Sequence, residues 1–423
     1  MIEISKRYLS VISLGVIWCA SVGYCQDGFQ NLQGQHIDLT TDLESAEQAQ
    51  ELVDAFDAAT PQWESFWNLP AGSLDDWKVR AYVMVNKNRF AQGGLIPAQQ
   101  PNFRFGFAMD NNIWVVAQKS EYYTRHLLLH EGVHALAFDR FNGAGPSWFM
   151  EGSAELLSVH TGKGDRVKIN QVPTDRELVS DWGRFTLLNA RRKQSGIPSL
   201  ATVLNYPRDM KSDVESYGWS WAAVMLLSAY PEYQTAFQKS ARNGSDMTGG
   251  FNLQLRQTID RDWPILNARW RLMCHNLDYG FDWQREQVKI SMADKLWDRQ
   301  TLTTTINANQ GWQSVGPRFG PGMKITIRPD GQVTLANTPK PWVSEPPGVT
   351  IRYHRGKPLG QLQLVQLANL TPTEQFHADL KVQSIEQSTT IQIKQHCWLL
   401  LRVNDFPGEL GDNSGGYQVT IQQ

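Results

Sequence analysis

Cysteine is scarce in this chain: four in 423 residues. Cys19 and Cys25 fall in the N-terminal segment, which leaves Cys274 and Cys397. Neither has the spacing of a thiolate zinc site. In an oxidising compartment they can pair, tying the end of the first domain to the second, or they can stay two separate buried thiols. Charge is also sparse. Asp, Glu, Lys and Arg make up 19% of the residues, with a formal net charge of −2. No basic run of the kind that reads phosphate occurs, which argues against a nucleic-acid surface. Apolar runs are short. The N-terminal one, about Leu9 to Ala20, is too short to span a bilayer. Internal repeats, Gly/Ser linkers and low-complexity tracts are absent.

That N-terminus has the form of an export signal. Lys6 and Arg7 supply a charged start, the apolar run follows, and small or turn-prone residues lead to Gln26. Residues 1–25 are therefore expected to be a signal peptide, cleaved after Gly23 or Cys25, with an uncleaved anchor as the rival. Bulky Trp18 and Tyr24 precede the cysteines, so no lipid-attachment box is seen. The mature chain is expected to be secreted, periplasmic or at the cell surface, with no membrane span. Its length predicts two domains. The 16 tryptophans are plentiful; indoles can stack on sugars, but most belong to a core.

The densest chemistry lies at His130-Glu131-Gly132-Val133-His134. Two imidazoles four apart on a helix project from one face and can bind one zinc ion. The glutamate between them can take a proton from water at the metal. Leu127-Leu128-Leu129 before the motif and Ala135-Leu136-Ala137-Phe138 after it describe a buried helix, where unpaired polar groups are costly. A loop, Asn142 to Pro146, follows. A second helix then opens at Ser147, the expected N-cap, and carries Glu151 and Glu155. Glu151 can complete a His₂Glu set with an open fourth position, the layout of a catalytic zinc site. Glu155, one turn on, either orients a ligand histidine or is an exposed first-turn carboxylate.

H-E-x-x-H, a short loop, then Pro-x-Trp-x-x-Glu-Gly-x-Ala resembles the gluzincin metallopeptidases of the peptidase MA-like branch. The resemblance implies His130, His134 and Glu151 as zinc ligands and Glu131 as general base. It covers about residues 45 to 285. Val79–Val85 alternates like a strand, and Ile113–Ala117 is a short apolar run. Gluzincins hold substrate against an edge strand of their sheet, and 113–117 is the expected counterpart here. The Tyr217-led apolar segment resembles the family's tyrosine-led helix, which implies that Tyr217 hydrogen-bonds the oxyanion; packing at the head of the helix is the other reading. Further helices are expected over 45–66, 218–241 and 251–277, the last with a break or first-turn proline at Trp263-Pro264. Residues 162–212 are polar and irregular.

Beyond about Leu302 the pattern changes to short alternating runs: 323–327, 349–353, 390–393, 399–403 and 417–421. They predict an antiparallel β-sandwich. The fold class is therefore α+β, with a metallopeptidase-like domain over 26–300 and a sandwich over 301–423. Asn404 to Gly416 is an oxygen-rich loop of the kind that holds Ca²⁺, or an ordinary Asx-rich hairpin loop. Its N-D-x-P-G-x-x-x-[ND]-N-S-G pattern, with Gly311–Pro317 earlier, resembles the calcium-dependent galactophilic lectin of bacteria (PA-I type). The resemblance implies calcium ligands at Asp405, Asp412 and Asn413 through side chains, and at Glu409 and Val315 through carbonyls. The lectin's sugar-contacting His-Pro-x-x-Gln has no match, so galactose itself is not implied.

Together these features predict an exported zinc peptidase acting on peptides or proteins, with a calcium-binding, lectin-like module that takes a glycan or serves only as an accessory. A glycan-binding surface protein with a silent peptidase-like domain, and a zinc hydrolase of a non-peptide amide, are the alternatives.

Overall fold

The computed structural model describes residues 23–24, 28–97, 102–174, 188, 196–207, 214–368, 375–376 and 380–423. The expected signal peptide lies almost wholly outside these residues, as does much of 162–212. No helix among the described residues is long and apolar enough to cross a membrane.

The chain is α+β. Its first part opens on a six-stranded sheet: β1 (Gly23–Tyr24), β2 (Gln30–Gln33), β3 (Ile37–Thr41), β4 (Val79–Met84), β5 (Gly106–Met109) and β6 (Asn112–Val116). The spatial order is β1-β2-β3-β4-β6-β5. β3, β4 and β6 run parallel, and β5 pairs antiparallel with β6 at the edge. This corrects one expectation. The 113–117 segment is β6, paired on both sides, so it has no free edge for a peptide. The alternation of apolar residues marks a strand but not its neighbours, and among the described residues the edge on this side of the sheet is β5.

Two long helices cover one face of the sheet, a third packs on them to build the site, and a short one lies against the other face through Phe90. α1 (Ala46–Phe66) starts where the Ser45 side chain accepts from Gln48 N–H at 3.1 Å. A short α2 (Lys87–Gln92) leads to the edge region. α3 (Glu121–Phe141) is capped by Ser120, whose hydroxyl accepts from Tyr123 N–H at 3.2 Å. It ends at Asn142, held at φ 55° in the left-handed region. α4 (Ser147–Ser158) begins one residue off expectation: Pro146 is the N-cap, without a side-chain cap bond, and Ser147 is the first helical residue.

The two motif glycines set how closely these helices meet. A Cβ on Gly132 would lie 2.5 Å from Phe56 Cε2 and 2.9 Å from Trp63 Cη2 of α1. One on Gly152 would lie 2.5 Å from the Ser220 carbonyl oxygen. Any side chain at either place would push α3 or α4 off its neighbour.

α5 (Leu200–Leu204), α6 (Val214–Ala229), α7 (Pro231–Ser240), α8 (Gly249–Ile259) and α9 (Trp263–Asn276) complete this part. α6 is buried on nearly every side from Gly218 to Ala229, the mark of a central core helix. The expected 251–277 helix is split by a 3₁₀ turn at Asp260–Asp262, and Pro264 sits in the first turn of α9, where its missing N–H costs nothing.

From Leu302 the chain forms two packed antiparallel sheets. One runs in the order 343–344, 333–334, 414–422, 324–330, 389–392, with 302–307 also on 414–422; the other runs 313–319, 397–403, 362–368, 383–384. Their facing side chains form a core of their own. The outer face of the second sheet is also buried. Val365, Leu367, Trp398 and Leu400 pack against Ile265, Ala268 and Leu272 of α9. Cys274 and Cys397 are both buried and are not joined in a disulfide.

Candidate metal centre

α3 and α4 cross so that three ligand atoms converge. His130 Nε2 lies 3.1 Å from His134 Nε2 and 3.3 Å from Glu151 Oε2. The third side of the triangle, His134 Nε2 to Glu151 Oε2, is 3.7 Å. Ligands bound at about 2.0–2.1 Å in tetrahedral directions stand roughly 3.3–3.4 Å apart, so the triangle has the size of a small-cation site. No ion is needed to read the chemistry. Two imidazole nitrogens and a carboxylate oxygen face one another, and among the described residues the buried Glu151 Oε2 has no hydrogen-bond partner. Burial pushes the Glu151 carboxyl up, but the adjacent His130 and His134 outweigh burial and hold it well below the ordinary carboxylate range. The buried His/Glu group can hold a metal ion.

Glu155 is not exposed. It is buried, and its Oε1 stands 2.9 Å from His130 Nδ1, the ring nitrogen facing away from the triangle. The two atoms are not aligned as a hydrogen bond, but a carboxylate at that distance favours a proton on Nδ1, the tautomer that leaves Nε2 free for a metal. Glu131, also buried, points to the edge strand. A Cβ built on Gly106 of β5 would overlap Glu131 Oε1 and lie 2.9 Å from its Cδ. Glycine at 106 thus lets the edge strand pass directly over this carboxylate. Tyr217 is half-buried in the first turn of α6, one turn before Ser220, whose carbonyl meets Gly152. That places it on the helix packed against α4.

Three features escaped the sequence reading. The first is His126, wholly buried on α3, with Nε2 3.4 Å from Glu155 Oε2. Its signal was present, since 126, 130 and 134 are spaced by four and share one helix face. The second is the β5 edge at Gly106. The third is a buried network behind the histidines. Arg125 pairs with Glu51 at 2.9 Å and donates to His160 Nε2 at 2.8 Å, while His160 Nδ1 donates to the Ser158 carbonyl at 2.7 Å.

The C-terminal loop is organised differently. Asp405 and Asn413 are buried together, with Asn413 Nδ2 donating to Asp405 Oδ2 at 3.0 Å. The Glu409 carboxylate is taken by Arg352 in a two-pronged pair at 2.6 and 2.7 Å. Asp412 is exposed, and Val315 is buried in the 313–319 strand. Of the expected calcium side chains, therefore, Asp405 and Asn413 are drawn together by a hydrogen bond, and Asp412 stands apart in solvent. The two groups of metal-ligating side chains found among the described residues both lie on α3 and α4, not here. Gly408 of this loop abuts Tyr279 and Gly280 of the first part, with a Cβ on Gly408 falling 3.0 Å from the Tyr279 carbonyl oxygen.

No family model matches the chain, and no curated protein matches it. Among solved structures, the chain is similar to one described as "EclA N-terminal domain; PllA-like lectin". The identity is 17% over 29% of this chain and 94% of that one, with a TM-score of 0.23.

Proposed function

We propose that this chain is an exported zinc-dependent hydrolase of peptide bonds, with the β-sandwich as an accessory domain. The observation that supports it most is the triangle of His130 Nε2, His134 Nε2 and Glu151 Oε2, sized for zinc and built from three protein ligands. Zinc, when bound, polarises a carbonyl oxygen and lowers the pKa of water toward about 7. The protein's own residues supply the rest. His130, His134 and Glu151 hold the ion and leave a fourth direction open. Glu131 takes the proton of the attacking water and returns it to the leaving amine. The outer edge of β5, with Gly106 over Glu131, offers backbone groups to an extended peptide. Tyr217 is the donor proposed for the oxyanion, a role that rests on the resemblance of its helix. Export rests on the N-terminal segment. A glycan partner for the sandwich rests on the lectin-like loop motif.

Metal analysis of the purified mature protein, paired with mass spectrometry of a digested peptide library, tests this reading. Glu131→Gln is expected to keep its zinc and lose about 10²–10⁴-fold in turnover. Full activity in that variant would contradict the role of Glu131. Zinc without turnover on any peptide, beside strong binding on a glycan array, would instead favour the silent, glycan-binding alternative.

A further inference from the structure

We infer that His126 is a positioning residue for the metal centre: it holds one oxygen of Glu155 so that the other stays aimed at His130 Nδ1. The inference rests on reading His130, His134 and Glu151 as a metal centre. Glu155 divides its carboxylate between two imidazoles. Oε1 stands 2.9 Å from His130 Nδ1, within ion-pair reach but off the hydrogen-bonding direction, and Oε2 stands 3.4 Å from His126 Nε2. A carboxylate can rotate about its last bond, and a wrong rotation would turn Oε1 away from His130. His126 restrains that rotation from the side opposite the ligand triangle. Its own ring is fixed in turn. Tyr123 and Tyr122 lie nearly parallel to it, with centroids at 5.7 and 6.3 Å, and Ser158 Oγ is 3.4 Å from Nε2. His126 and Glu155 are both buried, so water does not substitute for either contact.

The same atoms admit a rival. His126, His130 and Glu155 could together hold a second ion. His130 would then have to bridge two cations through both ring nitrogens, in a place with no solvent access. The shared carboxylate is the simpler account.

Zinc affinity by chelator competition, with metal stoichiometry, decides the matter on the full-length mature protein. His126→Leu is expected to weaken zinc about 10–100-fold. His126→Gln, whose amide reaches as far as Nε2, should restore affinity to within about threefold, while His126→Asn, one methylene shorter, should not. The asparagine variant serves if the leucine variant fails to fold. Glu155→Gln should cost as much as His126→Leu, and the double variant no more than Glu155→Gln alone. Unchanged affinity in His126→Leu, equal losses in the Gln and Asn variants, or losses that multiply in the double variant would overturn the inference. So would two ions in the wild type with one missing in His126→Leu. A wild type that takes up no zinc would instead remove the metal centre itself, before any variant is compared.

Discussion

Two buried histidines outside the ligand set govern how this protein should respond to acid. Burial, with the charge of Arg125, pushes His160 down to about 3. Burial, with the charges of Arg402 and Arg355, pushes His354 down to about 2. Both lie below the ordinary imidazole value near ~6.5. The unfolded chain therefore binds these protons first as pH falls, and stability present above about pH 6.5 is lost on the way down. Asp405 acts in the opposite sense. Burial pushes it up to about 6, so it favours the folded state as pH drops through that value. Glu286, whose carboxyl burial also pushes up, acts with Asp405. Each histidine should cost on the order of 2 kcal/mol between pH 7 and 5, partly offset by these two carboxyls. Urea midpoints at the two pH values measure this, and His160→Gln should make the decline shallower; a flat profile would refute it. Gly106 makes a second point about single residues. Adding one methyl there drives Cβ into the Glu131 carboxylate. Gly106→Ala is expected to keep its zinc while turnover falls about 10²-fold, because the base is displaced by roughly an ångström. Metal content and peptide hydrolysis measured on the same sample check it.

Helices hold the metal triangle through caps and through two glycines. Ser120→Ala removes the hydrogen bond to Tyr123 N–H and should cost about 1 kcal/mol, read by thermal or urea unfolding of the metal-free protein. Gly132→Ala is more severe. It gains helix propensity but meets Phe56 and Trp63, and the overpacking should cost roughly 1–3 kcal/mol net. An unchanged or raised midpoint would mean that α1 and α3 can part without penalty. Elements also show how much could be read in advance. The i, i+4 histidines, the apolar flanks and Glu151 on the next helix were legible, because helical spacing alone places them. The edge strand was not. A run such as Ile113–Ala117 reads the same whether one neighbour pairs with it or two. Glu155 stayed ambiguous for a related reason: one turn beyond Glu151 it faces either solvent or His130, according to how α4 is rolled on α3.

Across the whole chain, the two parts are joined rather than merely tethered. Ile197–Pro198 pairs with Gln375–Phe376, α9 packs on the outer face of a sandwich sheet, and Glu286 and Arg402 are buried at this seam. Burial pushes the Glu286 carboxyl up, opposed by the Arg402 charge and by Asn276, which donates to Oε2 at 2.8 Å. Arg402→Met would leave Glu286 without that charge. The change also removes the donor to the Asp405 carbonyl, and a loss of about 1–3 kcal/mol is expected, with the whole protein unfolding at the lower temperature in calorimetry. Retention of the wild-type midpoint would show that the seam carries no stability. The seam also explains the run Cys397 to Val403, which is apolar nearly throughout where a two-sided sandwich strand should alternate. Leu399, Leu401 and Val403 face the sandwich core, while Trp398 and Leu400 face α9. Local spacing was enough to predict the α+β class, the placing of His130 and His134 on one helix face and the sandwich strands, since each depends on residues a few positions apart. Which strand forms the edge, which carboxylate backs which imidazole, and how the C-terminal loop meets the first part were decided only by long-range packing. Those contacts join residues tens to hundreds of positions apart, and no local periodicity encodes them.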